Sequence, residues 1–128
     1  MSLFSRKTQA NQAVLGFLQH TPGPVTEASL RDLLAKKGVA VHKITLYRQL
    51  QQLARAGQVE VTRFADGVAR YERVKAHHHH VVCRSCHRVE DVEVGEHLAG
   101  EERRVAKQLK FGQVTHALEF YGLCPSCQ

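Results

Sequence analysis

The chain has 128 residues, 43% of them hydrophobic, and a formal net charge of +6. A chain of this size buries roughly two thirds of its unfolded surface and needs no disulfides to fold. No apolar run approaches the roughly 20 residues of a membrane-spanning helix, and the opening stretch MSLFSRKTQANQ lacks the apolar core of a signal peptide, which argues against membrane and secreted classes. The expected compartment is therefore the cytoplasm, where thiols stay reduced. The four cysteines are then read first as metal ligands or redox groups rather than as staples.

From Thr8 to His20, Ala10, Ala13, Val14, Phe17 and Leu18 form the stripe of an amphipathic helix, ended by Thr21-Pro22-Gly23-Pro24. Thr26 is a candidate N-cap for a second helix carrying Leu30, Leu33 and Leu34, with Gly38 as its stop. Ile44, Tyr47, Leu50, Leu53 and Ala54 repeat the helical spacing up to Gly57. The period then shortens: Val59 and Val61 alternate with polar neighbours, Asp66-Gly67 is a hairpin turn, and Val68 to Tyr71 returns as a strand.

Three helices followed by a β-hairpin is the order of a winged helix-turn-helix. The third helix, with Lys43, Thr45, Tyr47 and Arg48 near its start, is expected to enter the major groove of double-stranded DNA. Arg63 and Arg70 of the hairpin are expected to lie along the phosphates. Charge agrees: residues 1–75 hold twelve Lys/Arg against five Asp/Glu, whereas residues 76–128 hold six against seven. The positive excess lies wholly in the first part, which suits a polyanion partner.

Beyond Lys75 the texture changes. Val81-Val82 and Val89 to Val94 read as strands around a cysteine-bearing turn, Glu96 to Leu109 as a charged helix, and Val114 to Leu123 as a long strand. So small a ribbon with one helix cannot bury its own faces, and pairing with a second copy is the simplest remedy, so a homodimer is expected. The fold class is thus α+β: a winged helix-turn-helix domain over 1–75 and a small α/β metal-binding dimerisation domain over 76–128.

Cys83-Arg84-Ser85-Cys86 and Cys124-Pro125-Ser126-Cys127 are two C-x-x-C pairs. Two such knuckles complete a tetrahedral shell of four sulfurs around Zn2+, a closed and therefore structural site. A redox pair would place one C-x-x-C ahead of a helix. A zinc hydrolase or deaminase would need an open coordination position and a general base, so no enzymatic activity and no small-molecule substrate are expected.

His77-His78-His79-His80 precedes the first knuckle. On a strand, His78 and His80 face one way and His77 and His79 the other, so the run can serve two metal sites. Glu72 is a candidate for the His78/His80 face. His116, with Asp91 or His97, is a candidate for the other. His42 and His87 read as surface histidines.

These residues resemble the ferric uptake regulator family of bacterial metal sensors, which includes iron, zinc, manganese and peroxide sensors. The resemblance is carried by Thr45-Leu46-Tyr47-Arg48-Gln49-Leu50, by Arg70-Tyr71-Glu72 with the following histidine and cysteine block, and by Tyr121-Gly122-Leu123-Cys124-Pro125-Ser126-Cys127, and it covers nearly the whole chain. It implies a winged-helix domain, a dimerisation domain and a regulatory site for Fe2+, Zn2+ or Mn2+. By position, Cys83, Cys86, Cys124 and Cys127 match the structural zinc ligands, and Glu72, His78 and His80 the regulatory ligands. His77, His79 and His116 match a second site, and Asp91 stands where some members use an acid ligand.

The chain departs from the family pattern before the second helix, where Pro24 precedes Val25-Thr26 and the frequent histidine is missing. The acid early in the C-terminal helix falls near Leu98, leaving Glu96, His97 or Glu101 to substitute. The expected function is a metal-dependent transcriptional repressor in metal homeostasis. The alternatives are a peroxide-sensing regulator of the same family and a zinc-stabilised interaction module.

Overall fold

The computed structural model describes residues 6–128; the part of the signal-peptide reading that falls on residues 1–5 lies outside that range. The chain divides into two compact units, Met1–Ala76 and His77–Gln128.

The first unit runs α1 (Arg6–Gln19), β1 (Val25–Thr26), α2 (Glu27–Lys36), α3 (Lys43–Arg55), β2 (Val59–Arg63) and β3 (Ala69–Arg73). Its strands form an antiparallel sheet in the order β1-β3-β2. Thr26 caps α2 by accepting the Ser29 N–H at 3.1 Å, which satisfies one of the donors left open at a helix start. The two-residue β1 has no counterpart in the sequence reading, because so short a segment carries no periodicity.

Val14 and Leu18 of α1, Leu30 and Leu34 of α2, and Leu46, Leu50 and Leu53 of α3 close on Val59 and Tyr71 to form the core. Each fully buried leucine contributes on the order of 1.5–3 kcal/mol. The inward stripe of α3 is therefore Leu46-Leu50-Leu53. Ile44 and Tyr47, read from the sequence as part of the apolar stripe, are 63% and 51% exposed.

The β2–β3 hairpin pairs Val59 with Arg73 through to Arg63 with Ala69. Its turn is closed by Asp66, whose Oδ1 accepts the Val68 N–H, and by Gly67 at φ 74°. Arg70 requires a correction. Expected along the DNA phosphates, it is 6% exposed, donates to both carboxylate oxygens of Asp66 at 2.9 and 2.8 Å, and lies over the Phe64 ring. A carboxylate four residues earlier, brought round by the turn, satisfies the guanidinium in a bidentate pair.

The second unit contains β4 (His79–Cys83), β5 (Val89–Val92), α4 (Ala99–Leu109) and β6 (Glu119–Gly122). The sheet order is β5-β4-β6, with β4 antiparallel to β5 and parallel to β6. The long strand expected from Val114 is confined to four residues, and Lys110 (φ 58°) and Gln113 (φ 53°) turn the chain through the left-handed region just before it. The helix starts at Ala99 rather than Glu96, and the Glu96 carboxylate instead accepts the Leu98 N–H. No residue of α4 is buried. Among the described residues no helix is long and apolar enough to cross a membrane.

Candidate metal centres

Cys83 ends β4 and pairs in register with Gly122 at the end of β6, so the parallel strands deliver Cys83 and Cys124 to the same place. The Arg84 N–H donates to the Gly122 carbonyl at 2.8 Å and ties the two knuckles together. Cys83 Sγ accepts backbone N–H groups from Cys124 at 3.4 Å and Cys86 at 3.5 Å. Those donors, Cys124 first, lower the Cys83 thiol to about 5, as a thiolate ligand requires. The neighbouring thiols, Cys124 first, push Cys127 up to about 11, a crowding that a central cation would reverse.

All four Sγ atoms lie within 4.8 Å of one another, and none forms a disulfide. Cys86 Sγ and Cys124 Sγ are 3.8 Å apart, which matches the edge of about 3.8 Å in a tetrahedron of sulfurs about 2.3 Å from zinc. The donor set fits zinc, and its four thiolates leave no position open for substrate.

Two imidazole clusters flank β4. On one side His77, His79 and His116 point their Nε2 atoms at a single oxygen, Glu96 Oε1, at 2.8, 3.2 and 3.1 Å. These are separations that ligand atoms on one first-row transition metal, at about 2.1 Å from it, would adopt. The imidazoles, His77 first, hold the Glu96 carboxyl down at about 2. His116 Nδ1 faces Glu102 Oε2 at 3.1 Å, and Glu102 first, then Glu96, raises the His116 pKa. A carboxylate on Nδ1 leaves Nε2 as the metal-facing nitrogen.

On the other side His78 Nε2 and His80 Nε2 lie 3.5 and 3.3 Å from Asp91 Oδ1. The cross-strand register supplies this acid, because His80 stands opposite Asp91 on β5. Asp91 is thus brought to the His78/His80 side and not to the second cluster for which it was a candidate. His97 is exposed and belongs to neither cluster, while Glu96 takes the place held open for an acid. Glu101 pairs instead with Arg104. Glu102 was not anticipated, since its approach depends on how the chain returns from α4 to His116, and nothing in the sequence signals that.

In the first unit Glu72 is 2% exposed on β3. Lys43, Thr45, Tyr47 and Arg48 are all exposed at the start of α3, and Arg63 is exposed on β2.

The sequence profile of the ferric uptake regulator family matches residues 5–121. A ferric uptake regulation protein of Legionella pneumophila is 38% identical over 103 residues, 80% of this chain and 74% of that protein. A zinc uptake regulation protein of Mycobacterium tuberculosis is 33% identical over 125 residues, 96% of this chain and 95% of that protein. Among solved structures, the Vibrio cholerae ferric uptake regulator superposes with a TM-score of 0.75 at 24% identity, covering 94% of this chain and 91% of that one.

A unit of three helices and a hairpin, joined to one that gathers thiols and imidazoles, defines a metal-binding regulatory protein. The chain belongs to the ferric uptake regulator family, a family of metal-responsive transcription regulators.

Proposed function

We propose that the protein is a homodimeric repressor whose affinity for operator DNA is set by a divalent metal, Fe2+, Zn2+ or Mn2+. The carrying observation is the division of the histidine run: His77 and His79 converge with Glu96 and His116, while His78 and His80 converge on Asp91. A solvated histidine tract has no reason to gather an acid on each side. In this reading Cys83, Cys86, Cys124 and Cys127 hold structural zinc. The regulatory shell is His78 and His80 with Asp91 and, from the family resemblance, Glu72. His77, His79, Glu96 and His116 form a second centre.

The exposed start of α3, Lys43, Thr45, Tyr47 and Arg48, enters the major groove, and Arg63 of the hairpin reaches phosphate. The dimer is supported by apolar surface in the second unit, where Leu109, Phe111 and Leu123 are 63%, 65% and 51% exposed. Metal and operator binding are then linked, each strengthening the other by the same factor.

The test is a titration of Fe2+, Zn2+ and Mn2+ into the zinc-loaded protein, with binding to a duplex selected from random sequence as readout. His78→Ala and His80→Ala are expected to raise the metal concentration needed for DNA binding while the cysteine zinc stays in place. Variants that respond like the parent would remove the regulatory site. Loss of binding only when the Fe2+-loaded protein meets peroxide would favour the redox-sensing alternative.

A further inference from the structure

Outside the metal centres, the first unit has a surface groove between the second half of α1 and the end of α2, with a volume of about 770 Å³. Ala13, Gly16 and Phe17 form its floor on one side and Leu33 on the other, while His20, Lys36 and Lys37 stand around it. Among the described residues no acidic one lines it. Its size falls in the usual range for small-ligand sites, roughly 300–1,000 Å³, which combine an apolar lining with a few polar groups.

Gly16 supplies an independent observation. It sits inside the 14-residue α1, where glycine costs roughly 1 kcal/mol relative to alanine. A Cβ built there meets nothing within 4 Å, so no packing contact within the protein requires a glycine. A bare backbone on the floor of a groove does what a side chain would prevent: it lets another molecule approach the helix.

We propose that this groove is a binding site for a small anionic amphiphile, an apolar body lying on Gly16, Phe17 and Leu33 with a carboxylate head at Lys36 and Lys37. The volume favours a small molecule over a peptide helix, and Lys36 and Lys37 in the lining fix the sign of the head group. Its lining shares no residue with the metal clusters or with the exposed start of α3.

The probe is decanoate, titrated into the intact, zinc-loaded, 15N-labelled protein, with decanol as the uncharged control. Saturable amide shifts are expected at residues 13–21 and 33–37, half-complete below about 1 mM. Lys36→Ala combined with Lys37→Ala is expected to weaken decanoate about tenfold and to leave decanol unchanged. Gly16→Leu is expected to abolish both while keeping or raising the thermal midpoint, and Gly16→Ala to weaken both with the fold intact. Shifts scattered over both units, equal binding of decanoate and decanol, or full binding by Gly16→Leu would each overturn the proposal. So would an acidic amphipathic peptide that saturates the groove where decanoate does not.

Discussion

The two units are held together by different physics. In Met1–Ala76, nine buried side chains from three helices and two strands form one continuous apolar core. In His77–Gln128 the buried side chains are Val82, Cys83, Val89 and His79, and two of these four belong to clusters that could hold a metal. The first unit buries enough hydrocarbon to specify its fold. The second gathers four thiols and a ring of imidazoles around positions that hydrocarbon would otherwise fill. For so small a unit, metal ligation would supply the free energy that a core supplies elsewhere.

Removing the zinc is expected to separate the two units most strongly. Structural zinc in small peptides binds with roughly 10–16 kcal/mol of apparent free energy, which is coupled to folding. A strong chelator is expected to abolish amide protection in residues 77–128 while the α3 amides of Leu46, Leu50 and Leu53 stay protected in hydrogen exchange. Simultaneous loss in both units would show that they are one cooperative body. The converse perturbation is Leu50→Ala, which should cost about 2–5 kcal/mol of stability in the first unit. Zinc stoichiometry is expected to remain at about one per chain, as measured by metal analysis.

A smaller effect separates two arginines. Arg48→Ala is expected to weaken DNA binding by about 1–3 kcal/mol. Arg70→Ala should leave the salt dependence of DNA binding unaltered, because its guanidinium is committed to Asp66, and should instead lower the thermal midpoint of the first unit. A reduced salt slope for Arg70→Ala would restore it as a phosphate contact.

The smallest effect expected is on pH. Glu102 and Glu96 raise the His116 pKa above its ordinary value of 6.5. A metal must displace that proton, so affinity at the His77/His79/His116 centre is expected to fall as pH drops from about 8 to about 6. Glu102→Gln should shift the fall to lower pH, and chelator competition at several pH values would measure it. An unchanged profile would remove Glu102 as the partner that orients His116.

Much of this was legible in the sequence because it depends on short periods. The C-x-x-C pairs, the alternation of four histidines and the leucine spacing of α3 each express local geometry. What the sequence did not show depends on folding back. Arg70 looked like a phosphate contact because only a closed hairpin turn brings Asp66 to it. Tyr47 was counted toward an apolar stripe, but Leu46 provides the inward face and leaves Tyr47 outside. Glu96 was one of three candidates, with His97 and Glu101, and the choice among them rests on a loop that has no periodicity to read. Asp91 changed sides because cross-strand register, not spacing along the chain, puts it opposite His80.

The five residues of β4 reach three candidate clusters at once: His79 lies in one, His80 in another and Cys83 among the cysteine knuckles. Side chains on a strand alternate, so a slip of one residue would turn every one of these ligands to the wrong face. A chain misthreaded at this strand would break up all three clusters together. Metal bound in all three clusters would therefore report that the strand was laid down in register. A single-residue insertion or deletion here is therefore expected to disturb all three clusters, whereas the turn at Lys110 to Gln113, which contributes to none of them, has no such register to protect.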